Sequence, residues 1–473
     1  MSVVSGRLLN LFWVFFEKFG LIFLSIISFF IFATFLTPVE FGLGILLLSV
    51  VELPAIFIIA IADSSIIRLK YITKENDGTA FWLLLAICSL LAILIFIAFF
   101  LYFEDPSIIF AGFVAVLLLP LQSMSRVHII HLRRRKAFKE LAHRTIVGKL
   151  IGLLVGVYLA INNFGELSIV AQATVMAAVS TLLLFTSERR KFPFVLDLKW
   201  ARTQLNIGIP ASFKVLNENL FTKGTVFILE GVSGTQAVGF YNFANRLVDL
   251  PKTAVLSALV NYAYPVFADK KNSGEDTPQF FLMSTKLALM IIMPMFVGFA
   301  FVAESIVELL FQDKWLPSVT LLIGISIIAS VNLVFLFLPS LLLAHSKNKF
   351  GLKGQIFATI VALLCLIPLL SHFGIFGVVY SLVIRTILIL PVNLYALFKV
   401  APSVCSSFLK VCALTILPCI IMGGALYLLS FVLNFSVIVN IILQISVAAI
   451  VYAISYLSLN KGLISQMKSF ISQ

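Results

Sequence analysis

This sequence predicts an all-α polytopic membrane protein of about fourteen transmembrane helices, with two parallel six-helix repeats and two further C-terminal helices. Three observations carry that prediction. Hydrophobic residues make up 61% of the chain and charged residues 12%, half the charged share of roughly 25% in soluble domains. Apolar runs long enough to cross ~30 Å of hydrocarbon recur from Leu11 to Leu459. The stretch Val232–Pro251 also repeats Phe35–Pro54 in outline. Gly42 matches Gly239, Val51 matches Val248, Leu53 matches Leu250 and Pro54 matches Pro251, with the acids Glu52 and Asp249 aligned. A charged residue and a helix breaker at one depth of two spans is a mark of transporters built from internal repeats.

Taken in order, the spans are expected near 11–36, 41–67, 80–103, 107–131, 144–162, 166–187, 206–231, 237–267, 281–303, 317–345, 352–371, 374–398, 405–432 and 435–459. The first run is too long for a cleavable signal and continues into a matched hairpin. Residues 1–190 then form an N-terminal six-helix lobe and 206–400 a C-terminal one. Residues 191–205, with Trp200 among Lys199 and Arg202, read as an amphipathic linker on the cytoplasmic surface. Residues 401–473 supply two more spans and a tail. Six spans per half bring the second half in with the orientation of the first, so the repeats are parallel. A second pair of similar turns, 161–174 and 370–383, supports this.

Alternate loops are basic. One set holds Lys70 and Lys74, Arg133–Lys136 with Lys139, Arg189–Lys191 with Lys199 and Arg202, then Lys270 and Lys271. It continues with Lys347 and Lys349, Lys399 and Lys410, and Lys461 and Lys468. The other set holds Glu40, Glu104, Asp105, Glu166, Glu304, Glu308 and Asp313, with Lys314 its one cation. This bias places the basic loops and both termini in the cytoplasm, and it explains the net charge of +13 without nucleic acid.

Ionisable groups in hydrocarbon are costly, so each is a functional candidate. At mid-depth lie Glu52 in the second span, Lys214, Glu218 and Lys223 in the seventh, Arg246, Asp249 and Lys252 in the eighth, and Arg385 in the twelfth. Lys214 and Glu218 are four apart and Arg246 and Asp249 three apart, so each pair shares a helix face and can neutralise itself. Such pairs can be structural, but they leave cations in excess. A cationic cavity suits an anion, and phosphate is a strong match for Arg and Lys. Lys214, Lys223, Arg246, Lys252 and Arg385 are therefore the candidate ligands of a diphosphate or acidic glycan. Glu52, which has no local partner, leads the candidates for ion coupling, ahead of Asp249 and Glu218. Pro54 and Pro251 each remove a backbone bond near the same depth and are candidate hinges.

No catalytic or metal site is indicated. The chain has no GxxxxGK[ST] phosphate loop, no HExxH and no GxSxG. Its five cysteines form no CxxC pair and its five histidines no ligand spacing.

The motifs FLTPVEFG (35–42), RRRKAFKELA (133–142), VGFYNFANRL (238–247), YPVFA (264–268) and HFGIFGVVYSLV (372–383) resemble those of Wzx-type polysaccharide flippases. That oligosaccharide flippase family shares a superfamily with lipid II flippases and multidrug antiporters. The resemblance spans roughly residues 10–400. It implies two lobes in a V around a cationic cavity, and a lipid-linked oligosaccharide on undecaprenyl diphosphate moved to the outer leaflet of a bacterial inner membrane. It further implies coupling to H+ or Na+, no cofactor, and polysaccharide polymerase and chain-length machinery as partners. Thr225 stands where many relatives carry an aspartate, and Glu230 where they carry glycine. Two other readings stay open: a cation-coupled exporter of small molecules or drugs, and a membrane enzyme acting on the same lipid-linked glycan. The two-lobe repeat is sufficient for a functional monomer.

Overall fold

The computed structural model describes residues 2–69, 71–187, 190–347, 351–431 and 435–460. Lys70, Arg189, Lys349, Lys461 and Lys468 of the basic loops lie outside them, as does the expected tail after residue 460. The described residues are helical almost throughout and contain no strand. The helices are α1 (Ser2–Phe35), α2 (Pro38–Ile66), α3 (Lys74–Tyr102), α4 (Pro106–Val116), α5 (Leu118–Arg134), α6 (Phe138–Ile161), α7 (Leu167–Ser187) and α8 (Leu198–Ser233). They continue with α9 (Thr235–Asn272), α10 (Thr277–Leu310), α11 (Val319–Asn332), α12 (Leu338–Ala344), α13 (Leu352–Phe373), α14 (Gly377–Val400), α15 (Cys405–Ser430) and α16 (Val437–Leu459).

These make fourteen spans. Helices α4 and α5 form one broken span, as do α11 and α12. Pro120 and Pro339 account for the breaks, because each lacks the N–H that would continue the ladder. Eleven stretches are long and apolar enough to cross a membrane, one of them holding both α13 and α14. Helices α8 and α9 fall outside that set because they carry the polar load. At 36 and 38 residues and ~1.5 Å per residue they are long enough to cross.

Local chemistry sets the helix starts. Thr37 and Glu40 form a reciprocal capping box before α2, with Pro38 in the first turn. Thr73, Asp105, Asp197 and Asp276 each accept a backbone N–H at the start of α3, α4, α8 and α10. The cap at Asp197 corrects the expected linker: residues 198–205 are the first turns of α8 and run unbroken into the span.

What remains of the linker, residues 191–197, forms with Arg190 an extended strap held against α3 and α5. Phe192 stacks on Phe81 with centroids 4.4 Å apart, and Phe194 meets Trp82 edge-on. The Thr79 hydroxyl donates to the Val195 carbonyl at 3.0 Å and accepts from the Asp197 N–H at 3.0 Å. A bulkier residue at Gly78 would meet the Pro193 carbonyl, its Cβ only 2.2 Å away.

By contacts the chain divides into two compact units, Met1–Asn242 and Phe243–Gln473, so the boundary falls inside α9. In unit 1, Leu47, Val51, Leu119, Ile130, Val226 and Leu229 are fully or almost fully buried. Gly148, Gly152 and Gly156, four apart on α6, let its backbone approach Ser180 and Gln172 of α7. In unit 2, Phe281, Leu289, Phe296, Leu321, Leu341 and Leu366 are buried, and Phe243 stacks on Trp315 at 4.2 Å. A cavity of about 600 Å³ opens between α10, α15 and α16, lined by apolar side chains with Gln444 and Tyr452.

Candidate functional site

Within unit 1 the long helix α8 packs antiparallel along α2, and this seam holds the first group of candidate residues. At one end Gly208 admits the Ile61 carbonyl, to which a Cβ would lie 2.5 Å away. Next, Phe213 meets Phe57 at 6.2 Å. At mid-span Lys223 Nζ lies 2.7 Å from Glu52 Oε2 and donates to Ser49 Oγ at 3.2 Å. Glu52 thus has a partner that local spacing does not reveal: it is brought in by the α2–α8 packing. Both side chains keep some exposure, 18% for Lys223 and 35% for Glu52, so the pair is reachable.

At the far end of the seam the two repeat glycines meet. A Cβ on Gly42 would lie 2.2 Å from the Thr235 carbonyl and 2.7 Å from the Gly239 N, and one on Gly239 would lie 1.9 Å from the Pro38 carbonyl. The starts of α2 and α9, equivalent in the sequence repeat, therefore touch backbone to backbone.

The remaining candidates separate by unit. In unit 1, Lys214 and Glu218 lie 3.9 Å apart with both side chains exposed, a pair the four-residue spacing anticipates. In unit 2, Asp249 accepts from Lys252 at 2.9 Å and from Asn245 at 3.1 Å. Lys252, three residues to the other side of Asp249 along α9, is thus a partner of Asp249 that the Arg246–Asp249 spacing does not name. Arg246 is exposed on the same helix. Arg385 on α14 donates from Nε to Thr359 Oγ1 of α13 at 3.3 Å. Each of the three acids lies within 4 Å of a lysine, which leaves the set with two more cations than acids.

Pro54 lies inside α2 and Pro251 inside α9, each within a continuous helix. Thr225 is fully buried and its hydroxyl returns to the Phe221 carbonyl at 2.8 Å. Glu230 accepts from Thr235 at 2.9 Å across the α8–α9 turn.

Two further networks lie at the basic end of unit 1 and escaped the sequence reading. Arg126 grips both oxygens of Asp63 in bidentate fashion, and Arg133 adds a contact at 3.1 Å. Asp77 accepts from His131 at 2.7 Å and lies 3.5 Å from Arg190 of the strap. Asp63 and Arg126 are charges inside apolar spans, a signal available in the sequence. Their pairing joins α2 to α5 and is not.

Similarity to known proteins agrees with the resemblance read from the motifs. Residues 31–320 match a family described as "Polysaccharide biosynthesis protein". The succinoglycan biosynthesis transport protein ExoT of Rhizobium meliloti is 28% identical over 316 residues, covering 65% of this chain and 63% of the relative. The teichuronic acid biosynthesis protein TuaB of Bacillus subtilis is 23% identical over 283 residues, covering 58% of each. These matches span about three-fifths of the relatives' lengths. Among solved structures, the lipid II flippase MurJ in an inward closed conformation aligns with a TM-score of 0.70 at 17% identity, covering 97% of this chain and all of that one. An inward-facing multidrug resistance MATE family transporter of the MOP superfamily aligns with a TM-score of 0.57 at 14% identity, covering 82% of this chain and 95% of that one. The fold is thus one used by membrane transporters, and the chain belongs to the polysaccharide biosynthesis protein family.

Proposed function

We propose that this protein is a flippase that moves a polyprenyl-diphosphate-linked oligosaccharide, a polysaccharide repeat unit, from the cytoplasmic to the outer leaflet of a bacterial inner membrane. The observation that carries the reading is the excess of cations in spans α8, α9 and α14 of a chain with a flippase fold. Lys214, Lys223, Arg246, Lys252 and Arg385 serve the diphosphate or acidic sugars. The basic loops and both termini lie in the cytoplasm. A carrier of cationic drugs calls for open carboxylates, whereas here Glu52, Glu218 and Asp249 each have a lysine beside them.

The Glu52–Lys223 pair suggests how substrate and ion are coupled. Lys223 cannot serve a carboxylate and a phosphate at full strength together. A diphosphate arriving at Lys223 loosens Glu52, which then takes a proton or Na+ from the opposing gradient. Asp249 and Lys252 repeat the arrangement in the second half, and Glu218 with Lys214 a turn and more away. Pro54 and Pro251 are the points at which α2 and α9 bend as the pathway alternates. A single chain holds the whole pathway, and the product is passed to polymerase and chain-length machinery.

The test is the location of the lipid-linked intermediate in cells lacking the protein. Build-up in the cytoplasmic leaflet, cleared by re-expression, supports the reading. An intermediate that reaches the outer leaflet yet stays unpolymerised would point to an enzyme acting downstream.

A further inference from the structure

The last span, α16, turns polar atoms inward: its buried residues are Gln444, Tyr452, Ser455 and Tyr456. Ser455 satisfies itself on the Val451 carbonyl at 2.7 Å. Gln444 Oε1 and the Tyr452 hydroxyl do not. Both are buried without a hydrogen-bond partner among the described residues, and each residue is only 8% exposed. Polar atoms held away from water with no partner are costly and uncommon. Both residues line the same cavity, the one of about 600 Å³ in unit 2.

The shape and chemistry of that cavity narrow what can fill it. Its wall runs from Met290 to Ile306 along α10, about 24 Å, and from Gln444 to Tyr452 along α16, about 12 Å. Met422 of α15 and Pro251 of α9 complete it. The volume falls within the ~300–1,000 Å³ of small-molecule sites. Among the described residues no charged side chain lines it, so a phosphate or ammonium group would be buried there without a counter-charge. Water is a poor filler, because a buried water needs about 2–4 polar partners and these two polar groups stand more than two turns apart in an apolar wall. Gln444 and Tyr452 lie roughly 10 Å from opposite ends of α16, inside the ~30 Å of hydrocarbon. The phosphate and ester groups of bilayer phospholipids stay in the headgroup layer, above this depth. A slender, uncharged molecule with a polar group on its chain can reach it.

We propose that the cavity between α10, α15 and α16 is a binding site for an uncharged single-chain lipid alcohol, whose hydroxyl pairs with Gln444 or Tyr452. A hydroxyl suits both positions, since it donates to an amide oxygen and either donates to or accepts from a phenol. The chain lies along the α10 wall, where the flexible side chains of Met290 and Met422 adapt to it. The site draws on α15 and α16, the two spans outside the sequence repeat, and it does not rest on the flippase reading.

The test is photolabelling of the full-length protein in phosphatidylcholine nanodiscs with a diazirine-bearing hexadecanol. Unlabelled hexadecanol and hexadecane serve as competitors at equal mole fractions of the bilayer. Labelled peptides are expected within residues 290–306 and 444–452. Hexadecanol should displace the label about fivefold more effectively than hexadecane, the yield of one net hydrogen bond. Gln444→Leu combined with Tyr452→Phe should keep the labelling but erase that preference. The melting midpoint of this double variant should hold or rise, because two unpartnered polar groups leave the interior. Labelling spread over other spans, or equal displacement by alcohol and alkane in the wild-type protein, overturns the proposal. A preference that survives in the double variant overturns it as well. The wild-type comparison decides alone should the double variant fail to insert. Because binding is read without transport, a protein that binds the alcohol as predicted but moves no lipid contradicts the flippase reading and leaves this site intact.

Discussion

Lys223 on α8 places its ammonium 2.7 Å from the carboxylate of Glu52 on α2, across 171 residues of sequence. Neither charge is fully buried, so the pair is worth less than a dry one, about 1–3 kcal/mol. Glu52→Gln or Lys223→Met alone is expected to lower the thermal midpoint in detergent, because each leaves one charge in the span without its counterpart. The double variant should recover part of that loss while transport stays low. Additive destabilisation in the double variant would show that the two residues do not stabilise each other.

Gly42 and Gly239 bring the starts of α2 and α9 together with no space for a side chain. Gly42→Ala or Gly239→Ala is expected to destabilise this packing by about 1–3 kcal/mol, the usual cost of overfilling a tight contact. Gly231, whose Cβ would meet nothing within 4 Å, is the control, and its Ala variant should melt like wild type. Equal midpoints for all three variants would show that the contact carries no weight.

The strap 190–197 hangs on Thr79, which both donates to Val195 and accepts from Asp197. Thr79→Val keeps the shape and removes both bonds, at a cost of about 1–2 kcal/mol. Trypsin cleavage after Arg190 or Lys191 should then speed up several-fold in membranes opened on both faces, with the fold otherwise intact. An unchanged cleavage rate would show that the ring contacts of Phe192 and Phe194 suffice.

Glu166 sits in the turn before α7, outside the spans, and burial pushes its carboxyl above the ordinary 4.5, with the charges of Glu40 and Asp105 adding to the rise. A carboxyl raised in the folded state supports folding in full below the unfolded value. That support is lost as pH rises through the folded value. Wild-type stability is therefore expected to fall as pH climbs from about 4.5, and Glu166→Gln should flatten that part of the profile. Parallel melting-point profiles for the two proteins would show that Glu166 does not cause the slope.

The spans were legible because hydrocarbon permits few solutions: long apolar runs broken by turns and alternately basic loops fix the helices. The start of α8 was missed although Asp197 stands three residues before Trp200, the ordinary spacing of a helix cap. Apolar content draws the boundary where the apolar run begins, while the helix itself starts earlier, at Leu198. Pairs within a turn were half legible. Lys214–Glu218 forms as spaced, but Asp249 has a cation three residues away on either side, and periodicity cannot choose between Arg246 and Lys252. Pairs between helices were not legible at all. Glu52 looked solitary because Lys223 reaches it only through the α2–α8 packing, and Asp63 meets Arg126 only where α2 meets α5.

The most direct measurement is translocation by purified protein in liposomes that carry a labelled polyprenyl-diphosphate oligosaccharide, scored by a membrane-impermeant reagent. Wild-type protein should expose the label many times faster than empty liposomes, with the rate depending on an imposed H+ or Na+ gradient and falling in Arg246→Ala. A wild-type rate equal to that of empty liposomes, with the protein folded and correctly inserted, would contradict the account.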